Sequence, residues 1–422
     1  MHLSLIQVRV NGSKPSKEDT LIINHLSLAN FRNYASLEFD LPPHVTVLQG
    51  ENAQGKSNLL EAVYILATSR SPRTLSDREL INWDAFKEEI PACRIVSVVR
   101  KAGNDLKLEI ALSARAVNPP QSEDLFSRWQ PTNRSSSVQK RIRIDGIIRH
   151  AADLIGQLNV VTFSVYDIDL VGGEPALRRR YLDITNSQID HKYLRNLQRY
   201  NRVLWQRNQL LRLISENKAN PDELAFWDEQ LVETGTYLIV QREHTVAALN
   251  QLIEGIHDEL SGGQGKLNLV YLKSIDKQSG KGDSAVKETA EVFTKALQAA
   301  RDKEIAQGMS LVGPHRDDLR FFVGEVDAGV YASRGQQRTV ALSLRLAEAK
   351  LMLSVTKEHP VVLLDDVLSE LDARRRHHLL GSAASYQQVL ITTTDLDRFE
   401  QNFLSQASIF RVTQGRIEPL ST

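Results

Sequence analysis

Cysteine is nearly absent: Cys93 stands alone in 422 residues. A lone thiol excludes a disulfide framework and any cysteine-built zinc site, and such usage fits a reducing cytosol. No apolar run approaches the roughly 20 residues of a membrane span, and the start of the chain carries no signal-peptide pattern, so a cytoplasmic protein without a membrane role is expected. Excess charge is missing too. The 52 Lys+Arg balance 52 Asp+Glu, so no global positive field advertises nucleic acid, and a basic surface must be a local patch. There is no internal repeat. What remains is ordinary globular composition, 41% hydrophobic and 25% charged, in a chain long enough for two or three domains.

Patterning divides the chain. Residues 1–20 read as a loose extension. From Leu21, "LIINHLSLANFRNY" and "SLEFDL" alternate like paired strands, and "VTVLQG" is a short strand ending at Gly50. Residues 113–140 are polar and Pro/Ser-rich, a surface loop. From 189 to 216, Tyr193, Leu197, Tyr200, Leu204, Leu211 and Ile214 recur at helical spacing. "NKANPD" interrupts, and a second helical pattern from 223 to 260 carries Val246, Leu249, Ile253, Ile256 and Leu260. Two long helices joined by a short turn make an antiparallel hairpin.

"GENAQGKS" satisfies G-x-x-x-x-G-K-[ST] between a strand and the helical pattern "NLLEAVYIL". Gly50, Glu51, Asn52, Ala53, Gln54 and Gly55 would turn backbone N–H groups around a phosphate. Lys56 reaches the terminal oxygens, Ser57 binds Mg²⁺, and Asn58 continues the binding segment. A nucleoside triphosphate is the expected ligand, with ATP and Mg²⁺ as cofactors. "HPVVLLDD" is an apolar run closed by two carboxylates, the pattern of a buried parallel strand with ligands at its carboxyl end. Asp365 would hold the Mg²⁺ and Asp366 orient the attacking water, so Lys56, Asp365 and Asp366 form the catalytic set. "SELD" resembles the D-loop of cassette ATPases, with Ser369 and Asp372 facing a partner subunit. Thr393, Thr394 or Asp395 could stand near the γ-phosphate.

Two stretches compete as the loop that closes over a partner's nucleotide. "SGGQGK" at 261–266 lies 104 residues before Asp365, too far for the single helix that should separate them. It also lacks the Gly and Ser/Thr that a phosphate loop needs. Gly262 and Gly263 read better as a helix stop before the strand "KLNLVYL". "SRGQQ" begins 32 residues before Asp365, room for one helix and a turn. Ser333, Arg334, Gly335 and Gln336 are therefore the candidate trans-acting signature.

Together "LSLANFRNYASLEFDL", "GENAQGKSNLLEAVYILATSRSPRT", "RRRYLD", "LVGPHRDDL", "SRGQQRTVALSLRLAE" and "LLDDVLSELD" resemble the RecF family of bacterial recombination mediators. They occur in that family's order and cover nearly all of the chain from Leu21. The resemblance implies an α/β fold, an ABC-type P-loop ATPase head related to SMC heads, with an inserted helical-hairpin lobe. It implies a weak, DNA-stimulated ATPase that forms an ATP-dependent homodimer and binds double-stranded DNA at single-strand gap junctions. The implied partners are RecR, with RecO, in loading the RecA recombinase. "FSVYD" departs from the family's F-S-P-x-D at Val165, and neither a Q-loop glutamine nor a switch histidine is evident.

The corresponding segments are an extension (1–20), two head parts (21–185 and 301–422) and a helical lobe (186–300). For DNA, Lys192, Arg195, Arg199, Arg202, Arg207 and Arg212 crowd the first long helix. Arg195, Arg199 and Arg202 share a face that could follow phosphates, against the plainer reading that acidic residues such as Glu223, Asp228 and Glu229 neutralise them. Arg73 could touch nucleotide or DNA. His315, Arg316, Asp317 and Asp318 invite a metal-site reading, but a structural or interface role is favoured. A structural SMC-type protein would need far more coiled coil, and a transporter ATPase subunit would carry the missing glutamine and histidine.

Overall fold

The computed structural model describes residues 20–114, 138–275 and 283–420. The N-terminal extension and most of the Pro/Ser-rich stretch lie outside the described residues. The described chain forms two compact units.

One unit holds the described residues up to Thr162, with Pro360–Leu371 and the chain from Leu380 onward. Its antiparallel sheet has the order β2-β1-β4-β5-β6-β7, built from β1 (Leu21–Phe31), β2 (Tyr34–Asp40), β4 (Ala92–Lys101), β5 (Asn104–Ala114), β6 (Val138–Ile144) and β7 (Ile147–Arg149). The inward residues of β1 are Leu21, Ile23, Leu26 and Leu28. The two-residue rhythm of these four skips where a bulge shifts the register between Ile23 and His25, and Phe31 at the strand's end is buried outside that rhythm. A second sheet, β15-β14-β3-β13-β12-β8, contains β3 (His44–Gln49), β8 (Val160–Ser164), β12 (Val361–Asp365), β13 (Gln388–Thr393), β14 (Ser408–Thr413) and β15 (Arg416–Pro419). The strands β12, β13, β3 and β14 run parallel in that order. Both faces are covered, so Val361 through Leu364 are all buried and read as one apolar run. The helix Lys56–Thr68 packs its leucines, isoleucine and valine into the same core.

The other unit comprises Phe163–His359 and Asp372–Leu379. Its long helices are His191–Ser215 and Leu224–Ser261, joined by a turn that Asn220 caps. Tyr193, Tyr200, Leu211 and Ile214 face inward on the first arm, and Val246, Leu249, Ile253, Ile256 and Leu260 do so on the second, as expected from their spacing. A third helix, Asp283–Gln307, packs on both arms; the sequence pattern had not separated it. The helices approach closely at Gly235, where a Cβ would meet the Phe293 ring at 2.7 Å and the Tyr200 ring at 2.9 Å. Gly262 ends the second arm at φ 74°, and the N–H groups of Gly262 and Gly263 both donate to Asp258 O. That is the expected helix stop. β9 (Leu267–Leu272), β10 (Asp318–Val323) and β11 (Val326–Asp327) then form a small antiparallel sheet, and the helix Arg334–Thr356 packs against the second arm.

Candidate functional site: a nucleotide loop and a helix entrance

The carboxyl ends of three parallel strands meet where ligands gather in such sheets. In register, Asp365 on β12 stands beside Thr392 on β13, and Thr393 stands beside Gln49 on β3. From Gln49 the chain turns through Gly50–Gly55 and enters the helix at Lys56. Gly55 sits at φ 115°, and a Cβ there would lie 2.6 Å from the Asn33 amide. At Gly50 a Cβ would press to 2.4 Å from Val412 O. Both glycines are therefore required sterically, and Ala53 adds a left-handed residue at φ 64°.

The loop is braced from outside. Tyr34 OH donates to Gly55 O (3.0 Å), Asn33 to Gln54 O (3.0 Å), and Gly415 N to Gln54 O (3.0 Å). Gln54 Oε1 accepts from Gln414 N at 2.7 Å, while Asn58 donates to Asn33 at 2.8 Å. Arg73 donates to Asn58 Oδ1 at 3.0 Å and lies 3.8 Å from Glu61, which places it beside the loop helix.

Lys56 is 6% exposed, and its Nζ donates to Gly50 O and Glu51 O, both at 2.7 Å. Burial lowers its pKa, opposed by the charges of Asp366 and Asp365. Ser57 Oγ donates to Asp365 Oδ1 at 2.6 Å. Thr392 joins the two acidic residues: its hydroxyl is 2.9 Å from Asp365 Oδ1 and accepts from Asp366 N at 2.9 Å. Asp366 takes a left-handed conformation, φ 52°. Burial raises its carboxyl pKa, with Lys56 pulling it down and Asp365 pushing it up. The expected set Lys56, Ser57, Asp365 and Asp366 is thus brought together.

Thr392 was missed in the sequence. Thr393 and Thr394, which the sequence does offer, stand at the start of the loop through their carbonyls, accepting from Gly50 N (3.2 Å) and Gln49 Nε2 (3.3 Å), while the Thr393 hydroxyl gives one hydrogen bond to the Asp395 carbonyl and takes one from its N–H. Ser369 donates to Asp366 O at 2.7 Å. Asp372 caps Arg375 N at 2.9 Å and pairs with the Arg375 side chain.

The signature candidate is the entrance of the helix Arg334–Thr356. Ser333 Oγ accepts from Gln336 N (3.3 Å), and Gln336 Oε1 accepts from Ser333 N (2.9 Å), a reciprocal capping box. Ser333, Arg334, Gly335 and Gln336 are all exposed, as are Val330 and Tyr331 just before them. An exposed helix N-terminus presents N–H groups and a favourable dipole to an anion.

The basic first arm divides. Arg195 and Arg202 are exposed. Arg199 is exposed as well but pairs with Glu233 at 2.9 Å and with Gln230. Arg207 is buried and bound to Asp228 (2.6 Å), Ser310 (2.7 Å) and Glu304 (2.7 Å). Of the acidic partners foreseen for this arm, Asp228 pairs with Arg207, while Arg199 takes Glu233 and Arg207 also takes Glu304 of the third helix.

The residues His315 to Asp318 are likewise absorbed by packing. Gly313, at φ 126°, brings the loop so close that a Cβ would lie 2.5 Å from Tyr200 OH. Tyr200 OH donates to His315 Nδ1 (2.6 Å) while Nε2 donates to Ser310 O (3.2 Å), a neutral imidazole. Burial pushes the His315 pKa down to about 4. Arg316 donates to Ser310 O at 2.9 Å. Asp317 accepts from Tyr271 OH and Ser274 N, and Asp318 holds Arg178 through two hydrogen bonds of 2.7 and 3.0 Å. Arg242, fully buried, donates to Pro314 O, Asp183 and Tyr193 OH.

The family model "RecF/RecN/SMC N terminal domain" matches residues 22–418. The DNA replication and repair protein RecF of Chloroflexus aurantiacus is 44% identical over 404 residues, 94% of this chain and 99% of that protein. RecF of Roseiflexus castenholzii is 45% identical over 406 residues, 94% and 100% of the two chains. Among solved structures, that of the recombination mediator protein RecF-ATP in the RecFOR pathway superposes with a TM-score of 0.81 at 30% identity, covering 96% of this chain and 99% of that one. Among the described residues no helix is long and apolar enough to cross a membrane.

Proposed function

Because the chain belongs to the RecF family, we propose that it is an ATP-driven DNA-binding switch, a recombination mediator acting in DNA replication and repair. The observation that carries this is the juncture of Lys56, Ser57, Asp365, Asp366 and Thr392 at the mouth of the parallel sheet. The relatives named for replication and repair, and the structural neighbour described with ATP, support the same reading.

ATP binds in Gly50–Asn58, with the loop N–H groups and Lys56 around its phosphates. Ser57 Oγ and the Asp365 carboxylate are hard oxygen donors 2.6 Å apart, a pair suited to Mg²⁺, which would neutralise phosphate charge there. Asp366 orients water for a slow hydrolysis. Ser333–Gln336 closes over the nucleotide of a second copy, with Ser369 and Asp372 at the same interface. The functional segments are the head (21–185 and 301–422) and the lobe (186–300). The dimer grips double-stranded DNA at single-strand gaps and works with RecR and RecO to load RecA. Hydrolysis releases it, so the nucleotide energy goes into assembly.

Sedimentation with and without ATP tests the trans assignment. Ser333→Arg is expected to bind ATP like the wild type and to remain monomeric. Loss of ATP binding, or normal dimerisation, would sink the assignment.

A further inference from the structure

The first arm, His191–Ser215, contains no acidic residue in 25. Its inward arginine, Arg207, is fully matched by Asp228 and Glu304, and Arg199 leans on Glu233. Arg195, Arg202 and Arg212 are exposed, and none of them makes an ion pair among the described residues; Arg195 Nε reaches only its own helix, at His191 O. With about 100° of rotation per residue, Arg195, Gln198, Arg202, Trp205, Gln209 and Arg212 fall within roughly 100° of arc. Trp205 stands in the middle of this stripe with 58% of its surface exposed. The stripe runs roughly 25 Å from Arg195 to Arg212.

An uncompensated row of guanidinium groups is complementary to a polyanion. A bare indole among them is complementary to something with a flat, unsatisfied aromatic face. A duplex offers the charge but keeps its bases stacked inside; an unpaired strand offers both. We propose that this stripe is a docking track for single-stranded nucleic acid, with Arg195, Arg202 and Arg212 on the phosphates and Trp205 stacked on a base. The inference rests on the DNA reading above and adds to it: the switch meets the unpaired strand of a gap through this arm. Sequence preference is absent, because every base has a face to stack.

The test uses the full chain with labelled oligothymidylate and a blunt duplex of equal length, titrated by fluorescence anisotropy over a salt series. Trp205→Ala is expected to weaken strand binding about tenfold, the scale of one base–aromatic stack, and to leave duplex affinity unchanged. Trp205→Phe should restore most of the loss. The double variant R202Q/R212Q should lower the salt slope for the single strand by about 0.7 per arginine. Thermal melting of each variant checks that the exposed substitutions leave the fold intact. Unchanged strand binding in Trp205→Ala and in R202Q/R212Q would overturn the inference and leave the stripe to a protein partner. An equal loss on strand and duplex in Trp205→Ala would overturn the stacking. A wild type that binds gapped DNA while these variants match it fails only the track; a wild type that binds no DNA fails the proposed function as well.

Discussion

Lys56 and Arg207 are both buried cations, yet they are held in opposite ways. Lys56 touches two carbonyls of its own loop and has no carboxylate within ion-pair distance among the described residues. Its positive charge is disfavoured where it sits, as the direction of its pKa shows. Arg207 has Asp228 and Glu304 on its nitrogens and Ser310 between them. Arg242 follows the same pattern: burial alone would lower its pKa, but Asp183, Tyr193 and Tyr271 outweigh that and hold it well above the ordinary value. On the proposed reading, a cation kept for a ligand is left under-matched, whereas a cation kept for architecture is saturated. The first costs stability and retains binding capacity; the second fixes how three helices and a loop meet.

That contrast can be broken by exchanging consequences. Arg207→Met should produce the largest effect, leaving the fully buried Glu304 without its charge partner. Chemical denaturation is expected to show a loss of about 3–5 kcal/mol; a loss under 1 kcal/mol would mean the network is ornamental.

Next in size is a pH effect in the same packing. Unfolded histidine takes up its proton near pH 6.5, whereas His315 in the fold does so only near 4. A lowered histidine pKa means stability is complete above about 6.5 and falls as pH drops toward 4, by about 3 kcal/mol at most. In His315→Gln that share of the acid slope should vanish in melts run from pH 7 to 4.5. An unchanged slope would remove His315 from the account.

Smaller still is the change at the sheet's mouth. Thr392→Val keeps the shape and removes the hydroxyl shared by Asp365 and Asp366. ATP turnover should fall about tenfold, the loss of one or two hydrogen bonds to charged or strained partners, with ATP affinity nearly intact. Thr392→Ser should recover most of it. A change in affinity alone, or no recovery by serine, would make Thr392 merely structural.

The two regions also differ in how much the sequence disclosed. The Gly50–Ser57 loop is local in sequence: eight consecutive residues at the junction of a strand and a helix carry it, so its pattern is legible in the sequence alone. The hairpin was legible for a related reason, because its apolar seam repeats along each arm and Gly262 closes it. "SGGQGK" ends a helix instead of opening one, in keeping with its distance from Asp365. Arg207, in contrast, fills the seam position between Leu204 and Leu211, so its spacing is inward while its charge looks like that of its exposed neighbours; Glu304, nearly a hundred residues later, is the partner the sequence does not disclose. Thr392 hides in a run of three threonines, where strand register decides which one faces Asp365. The GPHRDD segment reads as structural rather than metal-binding from its sequence, but its partners Tyr200, Tyr271, Ser274 and Arg178 come from elsewhere in the chain and are not legible there.

The central claim is that the under-matched lysine serves a nucleotide that governs DNA binding. Mobility shift on gapped duplex, with and without ATP, compares wild type with Lys56→Met. The account predicts ATP-dependent retention of gapped DNA by the wild type, and a Lys56→Met protein that melts like the wild type but gains nothing from ATP. Equal ATP-stimulated binding by the two proteins would contradict it.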